Sequence, residues 1–570
     1  TQGVVDELLE TRLNTFVGRY LIKGKGHFVV PETPGINRWI FIPPKERMNA
    51  QQDDYIYCQI HRHPIRDGKG QAKVLRVIGK AGEPGIERSF TLATFDLADT
   101  WPDAVRAQAD SLGDSDIESR ETGREDRTDR PYVTIDSPGT QDMDDALLAE
   151  PNATGWTLSI AIADPTAVIE TDSPAEQEAF NRATAIYFPG EPLPMLPDSI
   201  STRFCSLMPE VKRLALVCNL QVNNDGSLGD YSFHQAVIQS KGKLSYELVS
   251  NLIEGREDDE IKALPDAVAN SLDQLHQAAT ALRKWRSEHA LLSGDRPEFR
   301  LRLDENKRIR LIEPSIQNEA HRLVEECMVA ANRCAADFLT NQTAGLFIQH
   351  PGLRDDRAEN IRALIDSHAP HLSGVDAHQA EGFRKLMKET DALEAEVPVK
   401  AILSRQLARA ELSFKPAPHQ GMGLDAYTTF TSPLRKFSDF YVHRLIKAAL
   451  WDIRARQAAN SLEAWLKSDF AKTLGEEPMS GVISRTVPAG FFVRLDANGL
   501  EGFVSCKDLD GKYSFDPVTL RLIHNKNGRI FQLEQPVTVS FAGVDEERRQ
   551  INFKLVEAQE IPTGSSSNNG

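Results

Sequence analysis

Asp136, Asp142, Asp144 and Asp145 place four carboxylates within ten residues of chain. At that spacing they repel one another and raise each other's pKa unless cations neutralise them. The chemistry open to such a cluster is the holding of hard cations that prefer oxygen ligands. A solvated acidic turn is the ordinary reading of an Asp-rich loop and is the competing one. A helix-loop-helix Ca²⁺ site fits badly, because neither the Gly nor a closing Glu falls at the spacing it needs.

The flanking residues say what positions the cluster. Val133 and Ile135 alternate with polar neighbours before the first Asp, and Ala146, Leu147 and Leu148 form an apolar run after the last. Pro138-Gly139 breaks the chain between them, so a sharp loop is fed by two strands. Further out the texture changes several times. Residues 1–14 predict a short amphipathic helix over 4–13. Residues 15–80 carry short β-branched and aromatic runs between Gly, Pro and Asn/Asp turns, which predict a small OB-type (cold-shock-like) β-barrel. Residues 81–130 read as an acidic, partly helical linker. Residues 131–475 read as one large mixed α/β domain, with a 3.6-residue apolar period through Leu323, Val324, Cys327, Met328, Ala331, Ala335 and Phe338. Residues 476–557 return to β texture and predict a second OB-type barrel, and 558–570 a disordered Ser/Asn/Gly-rich tail.

Length and composition bound the possibilities. A chain of 570 residues has room for three or four domains. No apolar run approaches the roughly 18 residues of a membrane span, and residues 1–30 lack the apolar centre of a secretory signal. Six cysteines without a CxxC pair argue against a zinc site or disulfide framework and favour a reducing, cytoplasmic compartment. The formal net charge of −17 argues against a polyanionic partner until its distribution is considered. Residues 12–80 hold 13 Lys/Arg against 5 Asp/Glu, an excess of 13 − 5 = +8; residues 81–130 hold 6 against 13, or −7. A basic barrel bearing Trp39, Phe41 and Tyr55 suits single-stranded nucleic acid if those rings are exposed, and is plain core if they are not.

Two long motifs carry a family resemblance. Thr134-Ile-Asp-Ser-Pro-Gly-Thr-Gln-Asp-Met-Asp-Asp-Ala146 resembles the acidic signature of the ribonuclease II / ribonuclease R (RNB) exoribonucleases. Residues His419–Gly423 and Tyr427-Thr-Thr-Phe-Thr-Ser-Pro-Leu-Arg-Lys-Phe-Ser-Asp439, ending Val442-His443-Arg444, resemble its second signature. Tyr187-Phe-Pro-Gly190, Pro194-Met-Leu-Pro197 and His321-Arg-Leu-Val-Glu-Glu-Cys-Met-Val-Ala-Ala-Asn332 are similar as well. The resemblance covers about 15–557 and implies an RNB catalytic domain between a cold-shock-like barrel and an S1-type barrel. The absence of a Lys-rich C-terminal stretch makes it look closer to ribonuclease II than to ribonuclease R.

By that resemblance, Asp136, Asp142, Asp144 and Asp145 hold Mg²⁺, with Mn²⁺ as a substitute, and Asp144, Asp145 and Arg435 are catalytic. Carboxylate-held cations activate water and neutralise charge at the attacked phosphate, and a guanidinium forks onto phosphate oxygens. Tyr187 is implied to stack on bases near the 3′ end, Tyr246 and Glu325 to recognise ribose, and Lys436 and Arg444 to hold phosphates. The implied activity is processive, Mg²⁺-dependent 3′→5′ hydrolysis of single-stranded RNA to nucleoside 5′-monophosphates in RNA decay, by a monomer that does not act on DNA. Two departures stand out: His289-Ala-Leu-Leu-Ser293 lacks the Phe that the family uses to clamp the base stack, and Ala459 stands where a Glu is expected in the later helix. There is room for one N-terminal barrel where the family usually has two. The competing readings are an RNA-binding regulator with a decayed site, which would lack part of the Asp cluster or Arg435, and a small-molecule phosphatase, which leaves the barrels without a role.

Overall fold

The computed structural model describes residues 14–32, 38–63, 69–256, 259–292, 298–391, 393–394 and 396–559. The helix expected over 4–13, Ser293 and nearly all of the tail lie outside these residues. The chain divides into two compact units, Thr1–Lys447 and Ala448–Gly570.

In the first unit, β1 (Thr15–Lys23), β2 (Gly26–Pro31), β3 (Ile40–Phe41), β4 (Asp54–Arg62) and β5 (Gln71–Lys80) close into a barrel in the order β1-β2-β3-β5-β4. Alternating residues fill it: Tyr20, Val29, Ile40, Ile56, Cys58, Ala72 and Val74 are buried together. Trp39 stays 47% exposed, with the Lys23 ammonium 4.9 Å from its ring centroid and the Phe28 ring 5.8 Å away. Phe41 and Tyr55 are half-buried, Tyr55 against Phe90. Of the three rings, only Trp39 therefore stands at the surface.

The acidic segment that follows forms three helices, Ile86–Thr94, Asp103–Ser111 and Asp114–Ser119. Its end belongs to the sheet of the central region. That sheet contains β6 (Glu125–Arg127), β8 (Asp145–Asn152), β9 (Gly155–Ala163), β10 (Lys212–Asn223) and β11 (Leu228–Gln239), in the order β6-β11-β10-β9-β8, with only β6 parallel to its neighbour. Polarity hid β6 from the sequence reading, because Arg127 enters the sheet on hydrogen bonds: its guanidinium reaches Asn219 Oδ1 at 2.8 Å and Glu125 at 2.9 Å. Leu214–Cys218 on β10 is buried at every residue, so both faces of the sheet are covered there. The helix Asp266–His289 packs on β8, where Ala149 N–H donates to Ser271 Oγ. Gly155 turns the chain between β8 and β9 at φ +149°, and a Cβ there would sit 2.2 Å from the Val222 carbonyl oxygen, so no other residue fits.

A short parallel pair completes the frame of the acidic loop. β7 (Thr134–Asp136) lies beside β12 (Lys243–Ser245), with Ile135 opposite Leu244 and Asp136 opposite Ser245. The second unit contains a further closed barrel of five strands, Met479–Val487, Gly490–Leu495, Glu501–Ser505, Pro536–Asp545 and Gln550–Ala558. On it Arg485 lies 4.0 Å above the Phe492 ring, which packs on Phe503 at 5.0 Å. No helix among the described residues is long and apolar enough to cross a membrane.

Candidate active site

Asp136 closes β7 and Asp145 opens β8, so two of the four carboxylates sit on strand ends and the other two on the loop between. The loop is pinned by the one apolar residue among its acids. Met143 is fully buried; its N–H donates to Ser206 Oγ at 2.9 Å, and its carbonyl accepts from Leu207 at 3.1 Å. The Lys243 ammonium donates to the carbonyls of Pro138 at 2.9 Å and Thr140 at 2.5 Å, while the Asp144 carbonyl accepts from Ala163 at 2.7 Å. Loop mobility is thereby removed from a segment whose composition suggests it.

The second signature is braced from beneath by buried polar groups. Asn332, on the helix Glu319–Thr340, accepts from Phe430 N–H at 3.0 Å and donates to the Tyr427 hydroxyl at 3.0 Å. Asp439 accepts from Thr429 Oγ1 at 2.6 Å and Ser432 N–H at 3.0 Å, and His443 Nε2–H donates to the Phe430 carbonyl at 2.8 Å. The segment so fixed delivers Leu434 N–H to Asp144 Oδ1 at 2.9 Å, across 290 residues of sequence, and Arg435 Nε to Asp144 Oδ2 at 3.0 Å. Arg435 Nη2 also donates to Ser432 Oγ, and its carbonyl accepts from Ala185 N–H at 2.9 Å. That last contact holds the strand-like stretch leading to Tyr187 beside Arg435.

These groups line one cavity of ≈ 890 Å³ that contains all four Asp side chains, Tyr187, Tyr246 and Arg435. Its electrostatics are those of a site short of positive charge. Burial pushes Asp145 up to about 7, with the Asp136 charge adding to it. Burial also pushes Asp136 up to about 6, against the opposing pull of Lys243 and Arg435. Asp142 is raised chiefly by burial. Burial raises Asp144 well above the usual carboxylate range, and Arg435 and the Leu434 N–H on its two oxygens oppose that rise without cancelling it. Asp145 Oδ2 is buried with no hydrogen-bond partner. Among the described residues no three Asp, Glu, His or Cys side chains form a finished cation cage. The donor set nevertheless fits a hard divalent ion: oxygen only, anionic, raised in pKa, and with one buried oxygen unsatisfied.

Tyr246 stacks face to face on His321 at 3.8 Å, and burial beside Asp145 and Asp136 pushes its hydroxyl pKa up. Tyr187 is 60% exposed within the cavity. Lys436 is exposed next to Arg435. Two expected residues are placed differently. Glu325 does not line the cavity; it pairs with Arg286 at 3.4 Å, because Arg286 enters between it and the buried Glu326. Arg444, expected at a phosphate, is spent inside the fold on Glu176 at 3.1 Å and the carbonyls of Thr166 and Ile169 at 2.8 and 2.6 Å. The sequence reading missed Lys243, Asp198, His321, and Arg182 stacked 3.6 Å over Trp101, all near or in the cavity. Two of these left a signal: Lys243, two residues before the strand-ending Ser245, and His321, at the head of the motif that runs to Asn332.

A carboxylate cavity with the Arg435 guanidinium bonded to one of its acids, in a chain that also folds two OB-type barrels, defines a hydrolase of nucleic-acid phosphodiesters. The RNB domain family matches residues 124–452, more than half the chain; the cold shock domain matches 28–102 and the S1 RNA binding domain 476–555. The chain belongs to the RNB family of 3′→5′ exoribonucleases, hydrolases that depend on metal ions. Ribonuclease R of Escherichia coli (strain K12) is 31% identical over 97% of this chain and 72% of its own. Exoribonuclease 2 of Edwardsiella piscicida is 34% identical over 88% of this chain and 80% of its own. Identity is thus higher to the second and coverage longer with the first. Among solved structures, the apo form of Mycoplasma genitalium RNase R shares the fold at a TM-score of 0.69 and 23% identity, covering 96% of this chain and 90% of that one. So does yeast Ssd1, a pseudonuclease, at a TM-score of 0.58 and 15% identity, over 97% and 84%. The fold by itself is therefore compatible with an inert site, and the residues must decide.

Proposed function

We propose that this protein is a processive 3′→5′ exoribonuclease that shortens single-stranded RNA to nucleoside 5′-monophosphates with Mg²⁺, Mn²⁺ being a substitute. The observation that carries the reading is the joint engagement of Asp144 by Leu434 N–H and Arg435, which unites both signatures in one cavity. A decayed relative would have no reason to keep four Asp and that Arg together.

In the reaction, a water oxygen bonds to the phosphorus of the last linkage and the bond from phosphorus to the 3′-oxygen breaks. The water gives up a proton, the leaving 3′-oxygen gains one, and the terminal nucleotide departs as its 5′-monophosphate. Asp136, Asp142, Asp144 and Asp145 would hold the divalent ions, which supply Lewis-acid charge and lower the pKa of water. Arg435 stands where its guanidinium can turn to the phosphate oxygens as negative charge grows. Arg435 in turn depends on Ser432 and Asp144 for its aim. Tyr187 offers an exposed ring for a terminal base. The Tyr246 hydroxyl, kept protonated, can both donate to and accept from a ribose 2′-hydroxyl, which favours RNA over DNA. Lys436 is a phosphate ligand in this scheme. Arg444 positions structure instead, and Glu325 acts only through Arg286. Trp39 with Lys23, and Phe492 with Arg485, are the stacking and charge pairs for RNA on the two barrels. Six free cysteines, five of them buried, suit a cytoplasmic location, and the chain is read as a monomer.

The test uses an RNA labelled at its 5′ end, with a 3′ overhang, incubated with Mg²⁺ beside the Asp144→Asn variant. A ladder shortening from the 3′ end, absent in the variant, is expected. Binding without shortening would sink the enzyme reading, and internal cuts would sink the direction.

A further inference from the structure

The hairpin formed by β13 (Glu298–Leu303) and β14 (Ile309–Ser315) carries arginines that differ in what they touch. Arg308 pairs with Glu87. Arg302 Nε holds the Glu313 carboxylate at 2.6 Å. Glu313 is the direct cross-strand neighbour of Arg300, not of Arg302. The natural partner of Arg300 is therefore taken on the diagonal, and no carboxylate is bonded to Arg300 among the described residues.

Arg300 instead lines the carboxylate cavity and also a smaller one of ≈ 220 Å³ that adjoins it. The two share Ser137, Tyr246 and His321 as well. Its charge reaches both rings of the stack: it opposes the rise of the Tyr246 pKa, and after burial it is the second cause that lowers the His321 pKa. An exposed guanidinium beside a 2′-hydroxyl reader, with no carboxylate bonded to it, has the chemistry of a phosphate clamp.

We infer that Arg300 binds one backbone phosphate of the RNA strand near its 3′ end, on the hairpin side of the Tyr246–His321 stack, as a substrate-positioning residue. This rests on the exoribonuclease reading. Arg435 serves the phosphate being attacked; Arg300 serves a different one and sets register.

Methylphosphonate scanning tests it. Single-stranded oligoribonucleotides carrying one neutral linkage at each of the last few positions are degraded by wild type, Arg300→Gln and Arg300→Lys. With unmodified RNA, Arg300→Gln should raise KM on the order of ten-fold with a smaller change in kcat, and Arg300→Lys should recover part of the loss. In wild type one linkage position should reproduce the same loss, and at that position Arg300→Gln should add nothing further. A variant loss that multiplies equally with every neutral linkage, or no loss at all, overturns the inference while leaving the activity intact. A wild-type protein that shortens no RNA overturns both.

Discussion

Arg435 and Asp144 show how little of a residue's role lies in its type. Either could be a surface ion pair; what makes them a site is that Asp144 is 4% exposed and meets two donors from the second signature. Arg435→Lys keeps the charge and loses the fork, so we expect kcat to fall about 10²–10³-fold, read in single-turnover assays, with RNA binding largely kept. His419 tests burial rather than catalysis. Burial, and then His350 beside it, lowers its pKa to about 4, and its Nδ1 accepts from Met422 N–H. A folded value below the ordinary 6.5 means that the unfolded chain binds more protons between those limits. The neutral ring therefore contributes stability that is complete above about pH 6.5 and lost as pH falls through the folded value. An NMR titration should find His419 uncharged at pH 5.5; a ring already half-protonated there would contradict the packing.

Elements explain the residues whose roles changed. Arg444 fits the family's second signature, yet it lies on the helix beginning at Phe437 and turns toward Glu176, because Thr166 and Ile169 present carbonyls there. Beside it, Asp164 is buried and ringed by Arg124 at 2.9 Å, Lys447 at 3.0 Å and Thr166 Oγ1 at 2.6 Å. Burial alone would raise its pKa; Lys447, the His443 ring 3.9 Å away and Arg124 together overcome that and hold it well below the carboxylate range. Asp164→Asn leaves buried cations without their partner and should cost about 3–5 kcal/mol in urea denaturation. Because the folded value is the lower one, Asp164 stabilises above about pH 4 and loses that contribution as pH falls further, so the variant should show a shallower acid transition. On the first barrel, Trp39→Ala removes an exposed stacking ring and should weaken RNA binding by about 1–3 kcal/mol with the melting temperature unchanged; an unaltered affinity would return Trp39 to the status of a bystander.

For the whole molecule, the net charge of −17 and an RNA substrate are reconciled by distribution, with +8 across residues 12–80. Affinity for single-stranded RNA should therefore fall steeply with salt, and a flat response would contradict charge-led binding. Chelation of divalent ions should abolish shortening, and Mg²⁺ should restore it without change in the far-ultraviolet circular dichroism. The sequence by itself determined the order of barrel, mixed α/β region and barrel, since strand alternation, turn residues and helical period are local properties. It also determined which residue types stand in the acidic and second signatures, since covalent order is what a motif records. Tertiary structure alone decided that Leu434 N–H meets Asp144, that Glu325 and Arg444 are drawn away by Arg286 and Glu176, and that Lys243 comes to the acidic loop and Arg300 to the cavity. Hydrogen bonds and ion pairs between distant segments depend on which donors and acceptors the fold leaves unmatched, and no local pattern carries that count.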